Sequence, residues 1–158
     1  MRRKKVYIHY GTSHFDPHHP LGGGHCGKPN GLWASPRYSK LGWAKWCESE
    51  EFHTERLAKH FKFRLHKGTR ILKIKCINDI IPFLMENETY KEDSVTFPIL
   101  YNDPTAGKNL DMQKIKSKYD GMEVYMDQNY GELHNSNMFN VWDVDSLVIW
   151  NLDKVICV

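Results

Sequence analysis

An apolar run of β-branched and aromatic residues in "KVYIHY" (5–10), flanked by polar Lys5 and broken by His9, predicts a strand that stops at the turn "GTS". From Gly11 to Gly31 no period is sustained. Gly, Pro, His and Asn crowd that segment and "GGG" occupies 22–24, as in a long functional loop or lid. "LWAS" (32–35) predicts a short strand, and Ser39 is placed to cap a helix over about 40–58 with Trp43, Trp46 and Cys47 on one side at helical spacing. Alternation returns in "FKFRL" (61–65) and "ILKIK" (71–75), two strands joined near "HKGT". "INDIIPFLMEN" predicts a short helix interrupted by Pro82, and turn residues make 86–109 mostly loop. Asp111 opens a short helix over 111–119. "GMEVYM" (121–126) and "DSLVIWN" (145–151) read as strands, the second one buried, and "KVICV" closes the chain. Strands and helices mixed without regular βαβ alternation indicate an α+β fold.

Composition narrows the class without naming a function. At 158 residues, with 41% hydrophobic and 26% charged side chains, the chain suits one domain, 1–158, with a core of ordinary size. No apolar run approaches the roughly 18–20 residues that span a bilayer, and the N-terminus turns polar before a signal-peptide hydrophobic region develops. A cytoplasmic protein with no membrane partner is therefore expected. Cys26, Cys47, Cys76 and Cys157 lie far apart with no Cys-x-x-Cys pair, which argues for free thiols. The net charge of +3 permits a nucleic-acid partner, although Lys and Arg are dispersed outside "RRKK" at 2–5.

Two stretches carry candidate chemistry. "SHFDPHHPLGGGHC" (13–26) holds Asp16, four histidines and Cys26, residue types that ligate zinc, but zinc sites set their ligands in tight pairs on secondary structure and a Gly-rich loop pre-organises nothing. No metal is expected. "GLWASPRYSKLGWAKW" (31–46) places three tryptophans in sixteen positions, which core packing explains first and a flat-walled pocket for a planar ligand explains second.

"IHYGTS" (8–13), then "GLWASPRYSKLGW" (31–43), then "YDGMEV" (119–124) and finally "DSLVIWNLDKVI" (145–156) occur in that order. Across nearly the whole chain this order resembles the ADP-ribosyltransferase superfamily, the NAD-consuming fold of diphtheria-type toxins and poly-ADP-ribose polymerases. More narrowly, "KPNGLWASP" with "GWAKWCESEEF" looks like a group of small phage-linked or prophage-linked proteins. The resemblance implies a single α+β domain of two packed antiparallel or mixed sheets with flanking helices. It also implies NAD as substrate, without a metal. His9 stands on the family's first strand, yet counting back from Gly11 puts Tyr10 at the first catalytic position. The catalytic carboxylate falls near Asp145, and the nearest glutamate is Glu123, one strand earlier. Gly11, Thr12, Ser13, Trp33, Ser35, Ser39 and Trp43 are implied to hold the dinucleotide, with Trp33 where the family has a Tyr.

Cleaving nicotinamide from NAD passes through an oxocarbenium-like ribose, the electronic problem of glycoside hydrolysis. One carboxylate, Asp145 or Glu123, must stabilise that charge. His9 or Tyr10 and the Thr12 and Ser13 hydroxyls can reach ribose oxygens, and Trp33 and Trp43 can flank the cationic ring while also serving the core. The expected role is an intracellular toxin or effector of a toxin-antitoxin or phage-defence system, with an antitoxin protein as a possible partner. Nucleic acid, RNA or DNA, is slightly favoured over protein as acceptor because of the basic charge. The rival is an ADP-ribosyltransferase-like module that has lost its chemistry and binds nucleic acid or a protein.

Overall fold

A computed structural model describes residues 5–18, 28–86 and 103–158. Among these residues the protein is a mixed α+β structure with nine strands and three short α-helices. Seven strands form one sheet in the order β4 (Ile71–Ile74), β7 (Gly121–Val124), β8 (Ser146–Ile149), β2 (Leu32–Pro36), β1 (Tyr7–Tyr10), β3 (His60–Leu65), β9 (Val155–Cys157). All neighbours are antiparallel except β4 and β7. β5 (Leu84–Glu86) and β6 (Lys108–Leu110) make a separate two-stranded ribbon. The expected pair of packed sheets is thus corrected to one continuous sheet, with β2 as the joint.

That sheet curls, and chain connectivity shows why. Leu65 ends β3 and Ile71 begins β4, so six Cα steps, at most about 20 Å, connect strands that five flat spacings of about 4.8 Å would hold about 24 Å apart. The predicted strands 61–65 and 71–75 therefore do exist but do not pair with each other. Curling also lets Tyr7 on β1 donate its hydroxyl to Glu123 on β7 at 3.2 Å, across β2 and β8. The concave face buries Tyr7, Leu32, Phe61, Phe63, Leu147 and Ile149, with Leu65, Ile71 and Val155 closing in from both sheet edges.

The convex face carries the larger core. Leu72, Ile74, Met122, Val124 and Val148 lie beneath Ile80, Ile115 of helix α2 (Met112–Lys118), Leu133 of helix α3 (Tyr130–His134), Phe139 and Trp142. Helix α2 starts as its sequence predicts, with the Asp111 carboxylate accepting the Lys114 N–H at 3.0 Å. The long helix expected over 40–58 is instead α1 (Trp43–Ser49) followed by a 3₁₀ turn at Thr54–Ala58. Left-handed Glu51 (φ 52°) and His53 (φ 48°) break it and fold Phe52 back onto Trp43 and Trp46, at 6.1 and 5.5 Å between ring centres. An unbroken helix would turn Phe52 about 240° from Trp46, so the aromatic cluster decides the break. Pro82 likewise resolves the short helix predicted around it into two 3₁₀ turns, Ile77–Asp79 and Ile81–Phe83.

Asp120 locks the closed end of the curl. Its Oδ2 accepts the Arg70 N–H and its Oδ1 the Asn151 side-chain amide, both at 2.8 Å. Burial pushes this carboxyl upward, but those hydrogen bonds and the charges of Arg70 and Lys154 outweigh it and hold the group below the usual aspartate value. A depressed folded value means stability that is present above the unfolded value near 4 and lost as pH falls through the folded value. Asp120→Asn is accordingly expected to lower the urea midpoint at neutral pH, with variant and wild type converging as pH is taken from neutral to below about 4. Parallel midpoints over that range would contradict this role.

Candidate functional site

The site begins where β1 and β2 part. Their ladder pairs Tyr7 with Pro36 and Ile8 with Ser35 and then stops. Beyond that point His9 takes over: its Nδ1 lies 2.6 Å from the Trp33 carbonyl oxygen. A carbonyl only accepts, so Nδ1 carries the proton and donates. Gly11, at φ +108°, then turns the chain away and gives its N–H to Lys59 O at 2.7 Å, a conformation that a side chain would strain.

A cavity of about 400 Å³ occupies this fork. His9, Tyr10, Gly11, Trp33, Ser35 and Trp43, all singled out from sequence, line it together with Lys28, His53, Arg56, Trp142, Asp143 and Ser146. Trp33 leans on Trp142 at 4.8 Å and also packs against the convex core, while its Nε1 donates to Pro29 O at 3.1 Å. Trp43 stacks on Trp46 at 5.2 Å. Trp33 and Trp43 are therefore both wall and support, and Trp46 stands behind. The Lys28 ammonium sits over the Trp33 ring at 5.8 Å. Burial, then the charges of Glu48 and Cys47, raise the Tyr10 hydroxyl above its ordinary value, so it remains a neutral donor.

Neither carboxylate named from sequence lines this cavity. Asp145 is buried beside it and fully employed: its Oδ2 accepts from Ser39 Oγ at 2.7 Å, its Oδ1 accepts from the Asp127 N–H at 2.9 Å, and its own N–H donates to Leu41 O. Ser39 accordingly serves that network and accepts the Leu41 N–H, rather than capping α1. Ser35 receives the Trp43 N–H at 2.9 Å, so a strand residue supplies the cap that Gly42 cannot. Glu123 lies on the concave face, 2% exposed, gripped by Lys5, Tyr7 and Tyr125. Thr12 donates to His14 O, and Ser13 lines a different depression beside His60 and Cys157.

No family model, curated protein or solved structure matches the chain. The cavity's chemistry rests on its own residues: a flat aromatic wall, the cations Lys28 and Arg56, and, among the described lining residues, the single carboxylate Asp143. Asp143 and Trp142 lie in a stretch that reads as a polar connector, where the apolar positions in "FNVWDV" (139–144) are the signal of a buried segment. Of the histidine-rich loop, His19, His25 and Cys26 lie outside the described residues, and among those described no three metal-ligating side chains come together. No described helix is long and apolar enough to cross a membrane.

Proposed function

We propose that this chain is an NAD-dependent ADP-ribosyltransferase, an effector of the toxin or phage-defence kind, whose NAD site is the cavity at the β1–β2 fork. The observation that carries the proposal is the convergence of His9, Tyr10, Gly11, Trp33, Ser35 and Trp43 on one cavity from three separate elements. Trp33 and Trp43 offer faces to the cationic nicotinamide ring, and Lys28 and Arg56 offer charge to the diphosphate. Tyr10 offers its hydroxyl to ribose oxygens, and Ser146, whose hydroxyl donates to Val144 O, offers an acceptor lone pair to a ribose hydroxyl. In the reaction the glycosidic C–N bond breaks and its electron pair goes to the nicotinamide nitrogen. The ribose carbon then bonds to an acceptor oxygen or nitrogen, whose proton passes to a carboxylate and on to water. We assign that work to Asp143, because it lines the cavity while Asp145 and Glu123 are hydrogen-bonded within the structure.

Nicotinamide release from labelled NAD, with RNA, DNA and cell lysate as acceptors, tests this. Asp143→Asn is expected to lower release by about 100-fold or more, as for removal of one group that stabilises developing charge. Full release by the folded Asp143→Asn protein would remove Asp143 from the chemistry. A second reading is favoured by the full engagement of Asp145 and Glu123: a binding module of the same fold without turnover. NAD binding without nicotinamide release by the wild type would select it.

A further inference from the structure

The cavity shares Lys28 with a second depression. A groove of about 420 Å³ is walled by Lys28, Asn30, Asn109 and Lys116, and Leu110 and Met138 contribute apolar surface to it. Lys28 lines both spaces, and the Trp33 indole, by holding Pro29 O, fixes the chain segment that separates them. Among the described residues no carboxylate lines this groove. On α1 and the segment after it Glu48, Glu50, Glu51 and Glu55 are exposed, while His53 and Arg56 of that segment line the cavity itself.

Resting on the NAD reading of the neighbouring cavity, we infer that this groove holds the acceptor, a single strand of nucleic acid. Ammonium groups at Lys28 and Lys116 neutralise backbone phosphates, which are attracted whatever the base sequence. The side-chain amides of Asn30 and Asn109 each present a donor and an acceptor, the pattern that reads a base edge. The surface of Leu110 and Met138 gives a base face something to pack on. Lys28, which lines both spaces, leads a bound strand from the groove to the cavity. A nucleotide seated in the groove then has its neighbour at the cavity mouth, where an oxygen or nitrogen can attack the ribose carbon as nicotinamide departs.

The test measures binding without turnover. Fluorescence anisotropy of labelled 12-nucleotide RNA and DNA is followed for wild type, Lys116→Glu and Asn109→Asp, with tryptophan quenching by NAD in parallel. Lys116 and Asn109 are exposed, and neither lines the aromatic cavity, so folding and NAD binding are expected to be retained. Each variant is expected to weaken oligonucleotide affinity about tenfold while NAD affinity stays within about twofold. Lys116→Glu is also expected to flatten the salt dependence by about 0.7 in log–log slope for the lost phosphate. The RNA and DNA arms show which sugar is preferred. Absence of oligonucleotide binding by the wild type, unchanged affinity in both variants, or equal competition by polyglutamate would overturn the inference. Groove-dependent oligonucleotide binding without NAD binding would leave the groove assigned and reject the transferase reading instead.

Discussion

Gly121→Val is expected to yield no folded protein, and Gly121→Ala a protein destabilised by about 3 kcal/mol, out of a total of roughly 5–15 kcal/mol for a domain of this kind. Gly121 begins β7, paired with Ile71 on one side and Ile149 on the other. A Cβ there would lie 2.7 Å from Val148 O, 3.1 Å from Ile149 Cα and 3.2 Å from the Ile71 side chain. Two of those three atoms are backbone, so no rotamer change relieves the contact. Gly31 crowds the same strand from the β2 side, where a Cβ would meet Ile149 O at 2.9 Å, so β8 has no direction in which to retreat. Urea unfolding followed by circular dichroism checks this, and a wild-type midpoint for Gly121→Ala would mean that β7 and β8 can separate there without cost.

The second large effect is expected at Glu123. Its buried carboxylate accepts from Tyr125 at 2.7 Å and Tyr7 at 3.2 Å on the concave face and pairs with the exposed Lys5. Burial first, with the Glu123 charge and hydrogen bond adding to it, pushes both tyrosine hydroxyls up, so both are donors that need an acceptor. Glu123→Ala strands them and opens a void between β1 and β7, at a cost of about 3–5 kcal/mol. Glu123→Gln retains an acceptor oxygen and the shape, and is expected to lose less. A structural Glu123 predicts that nicotinamide release falls only as far as folding does. A Glu123→Gln protein of wild-type stability with no release would return this residue to the chemistry.

The elements that were legible in the sequence are those whose signal is local. β1, β2, β7 and β8 alternate or run apolar within a few residues, and the Asp111 cap marks α2 by its own side chain. The helix over 40–58 failed because Glu51 and His53 are driven left-handed by contacts that Phe52 makes elsewhere on the chain. Propensity assigns those positions to a helix; packing of three aromatic rings outweighs it.

The sequence by itself determined the α+β class, because strand and helix signals are local, and the order of motifs that resembles a known family singled out six of the residues that line the cavity. Only the tertiary structure decided what the carboxylates do. Asp145, two residues from Asp143 along the chain, turns to Ser39 and the Asp127 amide, whereas Asp143 lines the cavity. Spacing along a chain does not specify which partner a carboxylate meets; curling a seven-stranded sheet until β1 and β7 share a face does.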